Sequence, residues 1–128
     1  MNNLTKLFES AICARQNAYA PYSKFMVGAA LITPQGTIFS SCNVENVSYP
    51  CGVCAEAGAI SAMVAGGHNQ ISEILIVADS KELITPCGAC LQRIKEFSTP
   101  DTMIHLANLS GVQKSVLLTE LLPYPFSK

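Results

Sequence analysis

A chain of 128 residues is long enough to bury a real core in one domain, expected here to span 1–128. Eight Lys and Arg stand against nine Asp and Glu, a net charge of −1 with no basic cluster, which argues against polynucleotides and phosphorylated ligands and leaves a small uncharged substrate. Only 13% of residues are charged, against roughly 25% in ordinary soluble proteins, and 49% are hydrophobic, so part of the surface is expected to lie at subunit interfaces. No apolar run approaches the ~20 residues that cross a bilayer, and the opening Met1-Asn2-Asn3-Leu4 stretch lacks a signal peptide's long apolar segment. Six cysteines suit a reducing cytoplasm better than a disulfide framework.

Leu4, Leu7, Phe8, Ala11, Ile12 and Ala18 recur at helical spacing, predicting an amphipathic helix that ends before Pro21, with Cys13 as a small core residue. Residues 25–32 are almost continuously apolar, as in a strand covered on both faces. Thr33-Pro34-Gln35-Gly36 reads as a type I turn, and Thr37 to Cys42 returns as a second strand whose last residue is expected in the core. Asn43-Val44-Glu45 follows at the rim of that hairpin, either as a polar loop cap or as binding groups. A helix from Cys54 to Ala65, made mostly of small residues, stops at Gly66-Gly67 and is expected to be buried centrally. Ile71 to Ala78 is a third strand, and a helix after Pro86 carries Leu91, Ile94 and Phe97. Met103 to Ala107 and Val112 to Val116 complete five strands, and His68 and His105, away from any cysteine at ligand spacing, read as structural. The alternation predicts an α/β fold: a three-layer α/β/α sandwich with a five-stranded mixed sheet, its cysteine-bearing helices starting at strand ends.

The chemistry concentrates in Cys54-Ala55-Glu56 and Pro86-Cys87-Gly88-Ala89-Cys90. Cys87 and Cys90, three apart at a helix start, can face one ion or form a redox pair. Cys54 supplies a third thiol, and three protein ligands leave zinc a fourth position for water. Glu56, about 200° around the helix from Cys54, is poorly placed to be a ligand and well placed as a general acid/base beside the site. Cys51 with Cys54 makes a second Cys-x-x-Cys, so a closed four-cysteine structural zinc module is the rival.

With Ala20-Pro21-Tyr22-Ser23-Lys24-Phe25, Asn43-Val44-Glu45 and Glu120-Leu121-Leu122-Pro123 around them, these motifs make the chain resemble the short homotetrameric cytidine deaminases nearly end to end. The resemblance implies one zinc ion per subunit on Cys54, Cys87 and Cys90, with Glu56 as proton carrier, in the hydrolysis of cytidine and deoxycytidine to uridine and deoxyuridine for pyrimidine salvage. It further implies that Asn43 and Glu45 hold the ribose hydroxyls, that the Ala55 N–H anchors the base carbonyl, that Phe25 lies at the sugar, and that Phe126 covers the pyrimidine of a neighbouring subunit. For Phe25 a core role is equally open, and for Phe126 and the tail a docked terminus.

The pattern departs from many relatives at Ala57 and Leu91, where they carry arginines. Three thiolates outweigh the ion's charge by one, so without those arginines water at the metal is expected to be less acidic, with Arg93 the nearest replacement. A deaminase for a cytosine-containing antibiotic, which could dispense with Asn43 and Glu45, is a further alternative.

Overall fold

The computed structural model describes residues 2–127; Met1 and Lys128, the ends of the opening and closing segments read above, lie outside them. Along the chain run α1 (Asn3–Arg15), β1 (Val27–Ile32), β2 (Ile38–Cys42), a short 3-10 turn (Tyr49–Cys51), α2 (Ala55–Ala65), β3 (Glu73–Ala78), α3 (Gly88–Glu96), β4 (Met103–Asn108), β5 (Gly111–Leu117) and α4 (Leu118–Leu121). The five strands form one sheet in the order β2-β1-β3-β4-β5. Only the β3/β4 pair is parallel, so the sheet is mixed as expected.

Strand alternation sorts the apolar residues into two cores. Leu7 and Ala11 of α1 meet Ala30, Ile32, Leu75 and Val77 on one face. Ala59, Ile60 and Met63 of α2, with Leu91 and Ile94 of α3 and Leu118 of α4, meet Ala29, Leu31, Ile74, Ile76, Ile104 and Leu106 on the other. Helices on both faces give the three layers. β1 and β3 are buried from both sides, which is why their sequences read as unbroken apolar runs.

Several boundaries shift for local reasons. α1 ends at Arg15, whose Nε donates to the Met26 carbonyl at 3.1 Å, and the chain then departs so that Tyr19 bridges Val44. β1 begins at Val27 because Lys24, at φ +61°, turns the backbone and leaves Phe25 exposed instead of in the strand. Cys13 is exposed, not core: α1 buries the side carrying Leu7 and Ala11, and Cys13 is about 200° around from Ala11. Cys42, at the end of the edge strand, is half-buried rather than enclosed. α2 buries Ala55, Glu56, Ala59, Ile60 and Met63 but leaves Ser61 and Val64 open, so it is buried on one side only.

Both histidines are hydrogen-bonded within the fold. His105 is hydrogen-bonded through Nε2 to Glu73 (2.8 Å) and through Nδ1 to Ser115 (2.7 Å), tying β3, β4 and β5 together across the sheet. His68 is hydrogen-bonded to Gln35 and tilts against Phe39.

Candidate active site

Sheet register brings the two cysteine motifs to one edge. Gly28 pairs with Cys42 and Val27 with Ala78, so the end of β2, the start of β1 and the end of β3 coincide there. From that edge residues 43–53 lead into α2 and residues 79–87 into α3. Cys54 is the N-cap of α2 and Cys87 the N-cap of α3, both extended in backbone and neither offering an oxygen cap. Two helices thus begin at this cluster, their N-terminal, positive ends beside the sulfurs.

The ligand atoms of Cys54, Glu56 and Cys90 all lie within 4.8 Å of one another, the sulfurs of Cys54 and Cys90 being 2.6 Å apart. Cys87 lines the same cavity from its more exposed side but stands outside that tight group. Glu56 comes closer to the sulfurs than a helical wheel implies, because Cys54 as N-cap is not in helical conformation and the 100° step does not apply to it. Cys51 is exposed on the 3-10 turn with its sulfur 3.6 Å from the Ser48 hydroxyl, and it does not join the cluster. A carboxylate therefore occupies the place beside the sulfurs that a four-cysteine module would give to Cys51.

Charge in the cluster is divided. The hydrogen bond from Cys90 holds the Cys54 thiol down at about 6, against burial and with help from the Ala57 N–H and Arg93. Donating that bond pushes the Cys90 thiol up, and burial adds to the shift. Burial also pushes the Glu56 carboxyl above its ordinary 4.5, and the Cys54 charge pushes it the same way. Arg93, one helical turn past Cys90, donates through one guanidinium nitrogen to Cys90 Sγ at 3.5 Å and Cys54 Sγ at 3.7 Å. Positive charge thus reaches the sulfurs from α3, not from positions 57 or 91. The i, i+3 spacing was the only signal of this in the sequence.

Around the cluster is a cavity of about 220 Å³ lined by Phe25, Asn43, Cys54, Ala55, Glu56, Cys87 and Cys90, with Ile84 and Thr85 from the loop before α3. That volume is below the ~300–1,000 Å³ of drug-sized pockets and suits a single ring. Ala55, buried at the first position of α2, forms part of this wall. Asn43 is spoken for only in part: its Oδ1 accepts from the Val27 N–H (2.9 Å) and its Nδ2 donates to the Phe25 carbonyl (2.8 Å), leaving one donor and one acceptor.

Glu45 and Phe126 stand apart. Glu45 faces an adjoining cavity of about 360 Å³ with Tyr22 and Tyr49. Its carboxylate accepts from the Ser23 hydroxyl and, at 3.1 Å each, from the Tyr22 and Ser23 N–H groups, which hold it below the usual carboxylate range. Those three bonds leave Oε2 one lone pair. The Phe126 ring is 79% exposed and does not line the cavity of its own chain. Ser23, which fixes Glu45, enters the sequence reading only as part of the Ala20–Phe25 motif, with no role of its own.

Thiols, a buried carboxyl group and a ring-sized cavity thus meet where three strands end. Residues 1–106 match the family described as the cytidine and deoxycytidylate deaminase zinc-binding region. Cytidine deaminases of Halalkalibacterium halodurans and Sporosarcina psychrophila are both 41% identical, over 94% and 98% of this chain and 92% and 93% of theirs. The crystal structure of the Burkholderia pseudomallei cytidine deaminase superposes with a TM-score of 0.91 at 41% identity, covering 98% of this chain and all of that one. The chain belongs to the cytidine and deoxycytidylate deaminase family.

Proposed function

We propose that this protein is a zinc-dependent cytidine deaminase that replaces the 4-amino group of cytidine and deoxycytidine with oxygen, consuming water and releasing ammonia, uridine and deoxyuridine. The single observation that carries this is the placement of a buried glutamate within 4.8 Å of two cysteine sulfurs on the wall of one ring-sized cavity.

Cys54, Cys87 and Cys90 would hold the ion, and the donor set fits it: thiolates match a borderline-soft cation, and Arg93 offsets their surplus negative charge. When bound, zinc supplies a Lewis acid that makes water acidic enough to attack C4 of the pyrimidine. Glu56 does the proton work. Its carboxylate takes a proton from the attacking water, delivers it to N3, and carries a second to the departing amine, so that ammonia leaves and the ring gains a carbonyl. Burial suits this cycle, because a carboxyl group raised toward neutrality both accepts and returns a proton readily.

The Ala55 N–H anchors the base carbonyl in this reading. Asn43 offers its remaining donor and acceptor to a sugar hydroxyl, and Glu45 its remaining lone pair, which together match a diol. Phe25, at the mouth, lies against the sugar. The active unit is a homotetramer in which Phe126 closes a neighbour's site; supporting this, Val47, Tyr49, Tyr124 and Phe126 are each more than three-quarters exposed. One catalytic domain spans 1–128. The setting is pyrimidine salvage in the cytoplasm, in keeping with six free cysteines and the absence, among the described residues, of a helix long and apolar enough to cross a membrane.

The test is to incubate purified, zinc-quantified protein with cytidine and follow uridine and ammonia. Stoichiometric appearance of both is expected. A zinc-replete protein that leaves cytidine intact would overturn the proposal.

A further inference from the structure

Past Leu122 the tail leaves the core, and among the described residues the hydrogen bonds of residues 123–127 both go to one side chain. Gln92, half-buried on α3, donates from Nε2 to the Phe126 carbonyl at 2.9 Å and accepts at Oε1 from the Phe126 N–H at 3.1 Å. A primary amide that gives and takes with one residue fixes both its position and its orientation, which a single bond cannot do. Pro123 and Pro125 flank Tyr124 and stiffen the approach, so little else needs to be held. The ring of Phe126 is left pointing away from its own chain, while Gln92 sits only two residues beyond Cys90.

We propose that Gln92 is the positioning residue for Phe126: its carboxamide latches the C-terminal segment to α3 and so sets where the aromatic ring stands over the base bound to a neighbouring subunit. The proposal rests on the functional reading above and adds a link within it. The helix that carries Cys90 also fixes the aromatic ring presented to the neighbouring subunit.

Amide hydrogen exchange at Phe126 in substrate-free protein reads the latch without turnover, and KM against kcat reads its use. In Gln92→Leu, which keeps the size but loses both bonds, exchange at Phe126 should quicken about tenfold, the loss of two ordinary hydrogen bonds. KM for cytidine should rise by a similar factor with kcat little changed, since ring placement acts on binding. Gln92→Glu, which keeps the acceptor but cannot donate, should fall between. In a Phe126→Ala background Gln92→Leu should add nothing further to KM, because the latch then has no ring to place.

Unchanged exchange in Gln92→Leu would overturn the latch. A KM effect that persists undiminished without the Phe126 ring, or exchange that quickens while KM stays put in both single variants, would overturn the positioning role. Either failure is distinct from failure of the deaminase reading, which wild-type turnover reports separately.

Discussion

The cysteine cluster and the segment that bears Asn43 and Glu45 are built differently. In the cluster, Cys54, Glu56 and Cys90 are placed by the starts of two helices that are buried against the sheet, and the polar groups face one another. Asn43 and Glu45 lie on a connecting segment and spend most of their hydrogen bonds on the backbone of the preceding segment, at Phe25, Val27, Tyr22 and Ser23. In the proposed reaction, chemistry thus falls to rigid elements and recognition to a loop braced by the residues that would recognise the sugar. Damage to the first should stop turnover with folding intact, whereas damage to the second should loosen both binding and the loop.

The largest effect is expected at Glu56. Glu56→Gln keeps the shape but cannot carry protons, and kcat should fall by about 10²–10⁴ with zinc retained. The pH profile sharpens the point. Burial raises the Glu56 carboxyl above 4.5, so the base form is lost, and activity with it, as pH falls through a value higher than an exposed glutamate's. That acidic limb should vanish in the residual activity of Glu56→Gln; a limb that survives would assign it to another group.

Arg93 comes next. Two charge-assisted contacts to sulfur are lost in Arg93→Gln, which should lower kcat about tenfold or more. The surplus thiolate charge is then less offset, so activity should appear only at higher pH, as a shifted onset in the pH–rate profile. This revises the expectation drawn from Ala57 and Leu91. With Arg93 on the sulfurs, wild-type onset should match that of relatives with arginine at those positions, and an unshifted onset in Arg93→Gln would remove it from the charge balance.

The smallest effects separate Asn43 from the brace on Glu45. Asn43→Ala should raise KM for cytidine about tenfold and loosen residues 25–27, since it removes the proposed sugar contact together with two bonds to backbone. Ser23→Ala leaves the Glu45 carboxylate itself in place but frees its brace, and should raise KM only a few-fold. Equal effects from both would erase the distinction between holding the ligand and holding the holder.

How much of this was legible in the sequence follows the same division. The cysteine motifs could be read because a helix start needs few residues to announce itself, here Pro86 and the apolar periodicity after Cys87 and Cys54. β1 and β3 were equally plain as apolar runs. The loop was not, because its path turns on Lys24 at φ +61°, a conformation that a lysine does not signal. α4 was missed because four residues hold no period to detect. Cys13 departs from cysteine's usual burial because the helical wheel sets it off the side of α1 that carries Leu7 and Ala11.

The central claim is that three sulfurs leave the ion a position for water while the glutamate stays free to move protons. X-ray absorption at the zinc edge of the zinc-loaded, substrate-free protein tests it most directly. Three sulfur neighbours and one lighter atom are predicted, with the spectrum unchanged in Cys51→Ser. Four sulfurs, reduced to three in Cys51→Ser, would contradict it.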